Sequence, residues 1–468
     1  AMPQTDRPDP GQFDDPLALA DAEEAWEMDG GVARVHWHPS GERLLFSHRG
    51  DLWSVSPGSE PERLTESAAP ELGGSFSPDG ETLAFLREGD LWLRGPSATA
   101  TRHTAVAETD VRLVDFRWSP DGTAIAIQTR DERAVVKRAI PDYLAEETTL
   151  REVPRAYPGE PAVRQRLGIV DSASGDVRWL DWGDREPDML LSYRWSPNGQ
   201  RLAIDTSDLY AKDRRIFVVD LRADEALRPR PVAADQDPMN ETFYFWRIEW
   251  STDSQLLYFL SDREEDYHVW AVSSDGEGDP RQLTGGPWAV AEMFPVDGGL
   301  IVVGNRGRAE ERHLFRVGHD GDEPTKISQR PGTHLPVVSP DGRWAAVHFS
   351  SQSSPPELLL TSLALQAGAD VERRVTDSPV PEFDTYSWIE AEFVSFPSHV
   401  DGSTLHGRIA LPADFDPARK YPAIVGSVYT DSVRNQWGWR TAHPTWGLDQ
   451  FLLQEGYIVF NVDMRGSW

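Results

Sequence analysis

Residues 116–129 read Phe-Arg-Trp-Ser-Pro-Asp-Gly-Thr-Ala-Ile-Ala-Ile-Gln-Thr. This is a tight turn and the strand that leaves it. Proline presets φ, Asp bonds back onto the backbone, and Gly takes the left-handed position before the chain extends. The run Ala124 to Ile127 is wholly apolar, as expected of a strand covered on both faces.

The same pattern recurs along the chain. Earlier copies are His38-Pro39-Ser40-Gly41 and Ser77-Pro78-Asp79-Gly80. Later ones are Ser196-Pro197-Asn198-Gly199, Ser251-Thr252-Asp253-Ser254, Pro295-Val296-Asp297-Gly298 and Ser339-Pro340-Asp341-Gly342. With the turn Gly (or Ser254) as marker, the spacings are 39, 42, 77, 55, 44 and 44 residues. Several copies continue into a second strand, as at Asp51–Val55, Asp90–Leu93, Arg215–Asp220 and His268–Val272. A period near 40 to 45 with about four strands per unit predicts a mostly β chain folded as a seven-bladed β-propeller, or an eight-bladed one if N-terminal residues help build another blade.

Two spacings are long. The larger places an insertion at residues 131–165, where a loop between blade strands serves binding. The smaller covers Leu221 to Phe243, read as a polar loop. Residues 14–29 read as a short acidic helix inside an N-terminal segment, 1–30.

The pattern changes after the propeller, 31–384, and a second domain is expected over 385–468. Strands are predicted at Ala391–Phe396 and Leu405–Pro412, with a buried-type strand at Tyr421–Tyr429. A helix follows at Leu448–Gln454, capped by Gly456, and a last strand at Tyr457–Asp463. Strand, helix and strand with apolar runs open a doubly wound sheet. "GRIALPADFDPARKYPAIV" followed by "GYIVFNVDMRGS" resembles the opening of the α/β-hydrolase domain in prolyl oligopeptidase-family serine peptidases, with the dipeptidyl-peptidase IV branch most similar. The propeller turns resemble that family and TolB-like proteins as well.

The resemblance implies a propeller-gated serine exopeptidase. It would release short peptides, dipeptides first among them, from free N-termini by Ser-His-Asp acyl transfer. Acylaminoacyl-peptide cleavage, tripeptide release and a non-catalytic propeller that binds a protein partner stay open. Such chemistry needs a Ser on a Gly-x-Ser-x-Gly elbow. No such pattern occurs in the 468 residues, so the resemblance places the triad beyond Trp468. Tyr429 then matches the family's oxyanion donor. It is followed by Thr430-Asp431-Ser432 where the family has Gly-Gly-Pro or similar, and the alternative role is closing its strand. Glu146 and Glu147, in the insertion, match the Glu pair that binds the substrate's α-ammonium; the alternative is solvated surface. Arg151, Arg155 and Arg164 either hold a substrate carbonyl or pin the loop, and Trp437 walls the cleft or packs in the core. No cofactor is implied, and a homo-oligomer is compatible with the resemblance.

Composition narrows the classes further. The net charge is −31, which repels phosphate backbones and argues against nucleic-acid binding. There are four lysines against 42 arginines and no cysteine, so disulfides and a Cys nucleophile are excluded. The 12 His residues show no metal-binding spacing. No run approaches 18 apolar residues, so no membrane partner is expected. Ala1 to Pro10 lacks a basic or apolar leader region, so a cytoplasmic location is expected, or a periplasmic or secreted one if a leader was removed.

Overall fold

The computed structural model describes residues 31–96, 99–142, 148–183, 186–222, 226–236, 247–264, 266–364, 372–378, 381–428, 432–438 and 446–463. The acidic stretch 14–29 lies outside them. The described chain is mostly β. Seven four-stranded sheets follow one another, spanning residues 32–63, 71–102, 111–179, 189–236, 248–282, 290–326 and 333–374. In each, neighbours in the chain are neighbours in the sheet, apart from one inserted hairpin in the third. This is the organisation expected of a propeller-like domain.

The turns are built as the sequence implied. The Ser119 hydroxyl donates to Asp121 Oδ1 at 2.7 Å and accepts the Ala124 N–H at 3.0 Å. The Asp121 carboxylate takes the Thr123 N–H at 3.1 Å, and Gly122, at φ +73°, donates to the Ser119 carbonyl at 2.9 Å. The same Ser to Asp (or Asn) bond closes the turns at Ser77, Ser196, Ser251 and Ser339, at 2.6 to 2.8 Å. These bonds hold the Asp79 and Asp253 carboxyls below their usual range, and push Asp341, which also pairs with Arg343, down to about 2.

A second repeat was not read from the sequence. After the fourth strand, a Thr or Ser hydroxyl accepts an N–H from the first half of the third. The pairs are Thr65 to Leu52, Thr104 to Leu91, Thr284 to Val269 and Ser328 to Leu314, at 2.8 to 3.1 Å. At three of the four its signature is a polar residue, an apolar residue and then Thr or Ser, as in Arg63-Leu64-Thr65 and Gln282-Leu283-Thr284, while His103 takes the middle place before Thr104. It belongs to strands of two residues, too short for periodicity to reveal.

Apolar layers lie between five pairs of consecutive sheets. Leu45 and Leu52 of the first meet Leu83 and Phe85 of the second, while Ala84 and Leu86 turn to Leu113, Phe116 and Ile125 of the third. The third and fourth share Ile169, Leu190, Tyr193 and Leu202. Leu260, Val269, Val290 and Leu300 join the fifth and sixth; Ile301, Leu314, Val347 and Leu359 join the sixth and seventh.

The chain divides into two compact units. One comprises the residues up to Leu209 with Ile216–Pro231, and the other Tyr210–Arg215 with Val232 onward. The region read as a polar loop, 221–243, contains the strand Arg230–Gln236. It pairs at the edge of the fourth sheet, and its polar side chains also find partners. Asp235 meets the buried Arg214 at 3.4 Å and accepts the Ser261 hydroxyl at 3.0 Å.

The last sheet is mixed. Its order is Glu392–Pro397, Thr404–Ala410, Ile458–Asp463, Ala423–Val428, with the final pair parallel and the others antiparallel. The helix Trp446–Gln454 connects the parallel pair and ends at Gly456, whose φ is +83°. Leu453 packs on Ala410 and Val459. The strand Ala423–Val428 was read as buried, yet Ile424 is 44% and Val425 67% exposed, because it is the edge strand. No helix among the described residues is long and apolar enough to cross a membrane.

Ser119→Ala should lower stability by about 1 kcal/mol, because the half-buried Ala124 N–H loses its acceptor and the Asp121 carboxylate loses one of its donors. Urea unfolding of the wild type and variant checks this; equal midpoints would deny the hydroxyl that role.

Candidate functional site

The insertion of the third sheet is an antiparallel hairpin, Lys137–Asp142 against Thr149–Pro154. It leaves and rejoins the sheet between the paired strands Ala124–Asp131 and Arg164–Asp171. Glu146 and Glu147 fall in the stretch between its strands and lie outside the described residues. The hairpin base is well fastened. Arg138 grips Glu160 with one nitrogen at 2.7 and 2.6 Å and lies 3.9 Å over the Tyr157 ring. Glu160 also takes the Tyr157 N–H across a turn that Gly159, at φ +87°, makes available. Lys137 reaches both Asp110 oxygens at 2.8 and 2.9 Å. Of the three arginines singled out, Arg164 pairs with Glu186, and all three are exposed.

Tyr429 also lies outside the described residues, but the chain on either side of it is described. Before it, Val428 is paired with Asp463. After it, the Val433 N–H donates to Asp463 Oδ1 at 2.5 Å, and Arg312 donates to the Ser432 hydroxyl at 2.7 Å. The stretch 432–438 has no regular structure, so its buried polar groups need partners elsewhere. Asn435 shows how they are met. Its N–H donates to the Glu310 carbonyl at 2.7 Å, its carbonyl accepts the Thr333 hydroxyl at 3.1 Å, and its Oδ1 accepts the Gln352 N–H at 3.0 Å. Trp437 joins an aromatic cluster, 5.1 Å from Phe383 and 5.6 Å from Trp388.

Behind Arg312 lies a buried set of ionisable groups. His313 bonds Glu311 through Nε2 at 2.6 Å and Ser328 through Nδ1 at 2.9 Å. His334 Nδ1 donates to the Arg312 carbonyl at 2.9 Å, and its ring lies 5.1 Å from that of His313. His334 Nε2 and Glu372 Oε1 stand 3.8 Å apart and neither makes a hydrogen bond. Burial pushes both imidazoles down to about 4, with the nearby Lys326 charge adding to the effect. Burial pushes the Glu311 and Glu372 carboxyls up, opposed by Arg308 and Arg330 respectively. Among the described residues, no group of three or more His, Asp or Glu is arranged to hold a metal ion.

The last sheet carries an exposed Ser–His pair. Ser395 and His406 face each other across two strands, with Oγ 2.9 Å from Nδ1. They line a cleft of about 270 Å3 with Arg308, Glu310 and Val433. The pair sits on flat strands and not on a sharp strand-to-helix turn, so it lacks the setting of a nucleophile elbow.

The family model described as the dipeptidyl peptidase IV N-terminal region matches residues 47–356. The chain belongs to this family of dipeptidyl peptidase IV-like peptidases. A probable dipeptidyl-aminopeptidase B of Emericella nidulans is 23% identical over 398 residues, covering 75% of this chain and 41% of the relative. A dipeptidyl-peptidase 5 of Porphyromonas gingivalis is 23% identical over 361 residues, covering 75% and 39%. The chain thus spans about two-fifths of the length of these relatives. The crystal structure of Porphyromonas gingivalis dipeptidyl peptidase 4 superposes with a TM-score of 0.77 at 18% identity, over 93% of this chain and 65% of that one. A putative dipeptidyl aminopeptidase IV from Bacteroides ovatus gives 0.71 at 18% identity, over 91% and 63%.

The buried histidines set a pH response. An unfolded imidazole protonates below about 6.5, whereas the folded ones resist until about 4. Stability is therefore unaffected by them above about pH 6.5 and falls as pH drops from there toward 4. The raised carboxyls take up protons first in the folded state and offset part of that loss. His334→Asn keeps a donor for the Arg312 carbonyl and removes the titrating ring. Its Tm should fall less steeply over this window; an unchanged slope would contradict the assignment.

Proposed function

We propose that this chain is the substrate-gating part and the opening of the catalytic domain of a serine dipeptidyl peptidase. The reading rests above all on one succession: a dipeptidyl peptidase IV N-terminal region over 47–356, followed by a mixed sheet whose strand Ala423–Val428 leads straight into Tyr429. The strand order of that sheet, first, second, fourth and third along the chain, supports an α/β-hydrolase opening with its boundary near residue 385. The open edge at Ile424 and Val425, and the exposed Leu448 and Phe451 on the helix, suit a sheet that continues. In this reading the consecutive sheets are blades of a seven- or eight-bladed propeller that limits access to short peptides.

Each part has a chemical task. Two carboxylates can satisfy an ammonium's donors, so Glu146 and Glu147 select a free N-terminus. The nucleophilic Ser attacks the carbonyl of the second residue, the His takes its proton and returns it to the departing amine, and the acid holds the His. Tyr429 donates its hydroxyl to the oxyanion as charge develops there.

In the full-length protein, Glu147→Gln should raise KM for peptides with free N-termini by about 10- to 100-fold, the worth of a charge-assisted hydrogen bond. An unmoved KM returns the pair to solvated surface. A fluorophosphonate probe should label the full-length protein once. Absence of labelling would favour a non-catalytic propeller that binds a protein partner.

A further inference from the structure

The stretch 432–438 has no regular structure, yet it is bonded from several directions. Ser432, Val433 and Asn435 are all buried. Five hydrogen bonds on these three residues come from distinct places. Arg312, ahead of the third strand of the sixth sheet, holds Ser432, and the carbonyl of Glu310 holds the Asn435 N–H. Thr333 and Gln352, at the two ends of the first hairpin of the seventh sheet, hold the Asn435 carbonyl and side chain. Asp463, at the end of the last strand, holds Val433. These anchors are themselves fixed. Arg312 also donates to the carbonyls of Ala309 and Glu311 at 2.8 and 2.9 Å, and its backbone pairs with Thr333 across the gap between two sheets. The Gln352 amide brackets Ala391, donating to its carbonyl at 3.0 Å and accepting its N–H at 2.9 Å.

An oxyanion donor works only if it already stands where the charge will develop, since reorganisation during the reaction cancels its advantage. A Tyr on an unbonded loop would not meet that demand. We propose that Asn435, Arg312 and Thr333 form a latch that positions Tyr429, carried on the two sheets that precede the hydrolase opening. The latch rests on the reading of Tyr429 as oxyanion donor. Arg312, Asn435 and Thr333 are positioning residues: none needs to touch substrate.

The test is a double-mutant cycle in the full-length protein. Tyr429→Phe alone should lower kcat by about 100-fold or more with KM little changed. Asn435→Ala should lower kcat by about 10- to 100-fold, again at similar KM, because displacing a catalytic group by a fraction of an ångström to an ångström has effects of this size. Thr333→Val, nearly isosteric, should act in the same direction and more weakly, and serves if Asn435→Ala does not fold. Asn435→Asp, which keeps the acceptor, should restore most of the activity. In the Tyr429→Phe background, Asn435→Ala and Thr333→Val should cost nothing further. If they lower kcat equally in both backgrounds, the residues only support the fold and the latch is wrong, while the Tyr429 reading survives. If Tyr429→Phe leaves kcat unchanged, that reading falls and the latch falls with it.

Discussion

A four-stranded sheet whose strands are apolar on both faces cannot stand alone in water. In the second sheet, Leu83 and Phe85 point one way and Ala84 and Leu86 the other, and each pair meets a different neighbouring sheet. Burying each large apolar side chain contributes about 1.5–3 kcal/mol, so such a sheet depends on the neighbours that cover it. The Ser-x-Asp-Gly turn makes that stacking repeatable. It reverses the chain in a fixed geometry and satisfies its own polar groups, so the next apolar strand enters in register. Insertions are tolerated where they do not touch the shared layers, and the Lys137–Pro154 hairpin enters at such a point.

Much of this was legible in the sequence because its signals are local. A turn such as Ser119 to Gly122 is four residues of fixed chemistry, and the strand after it opens on four apolar residues, Ala124 to Ile127. The last sheet was legible for the same reason, with strands and helix within about two residues of expectation. What escaped has a physical pattern. The strand Arg230–Gln236 is an edge strand whose Asp235 meets Arg214 and Ser261, side chains remote in sequence, so it looked like a polar loop. The burial of Ala423–Val428 was overestimated because an apolar run does not say whether a sheet extends past it.

The candidate site divides along the same line. Tyr429, Glu146 and Glu147 could be named from motif likeness, although they lie outside the described residues. The groups around them could not. Asn435 bonds Glu310, Thr333 and Gln352, residues between 83 and 125 positions away, and no local pattern marks such contacts. The buried Glu311, His313, His334 and Glu372 were likewise invisible as a group, since pairings remote in sequence, Arg312 with Thr333 and Glu372 with Thr361, bring them together. The irregular stretch 432–438 is thus given order by the sixth and seventh sheets that it bonds.

The most direct measurement is mass-spectrometric identification of products released by the full-length protein from a peptide with a free N-terminus and from its N-acetylated twin. Stepwise loss of dipeptides from the free peptide alone is the predicted result. Equal cleavage of both peptides, or of neither, would contradict a dipeptidyl peptidase that reads the substrate's α-ammonium.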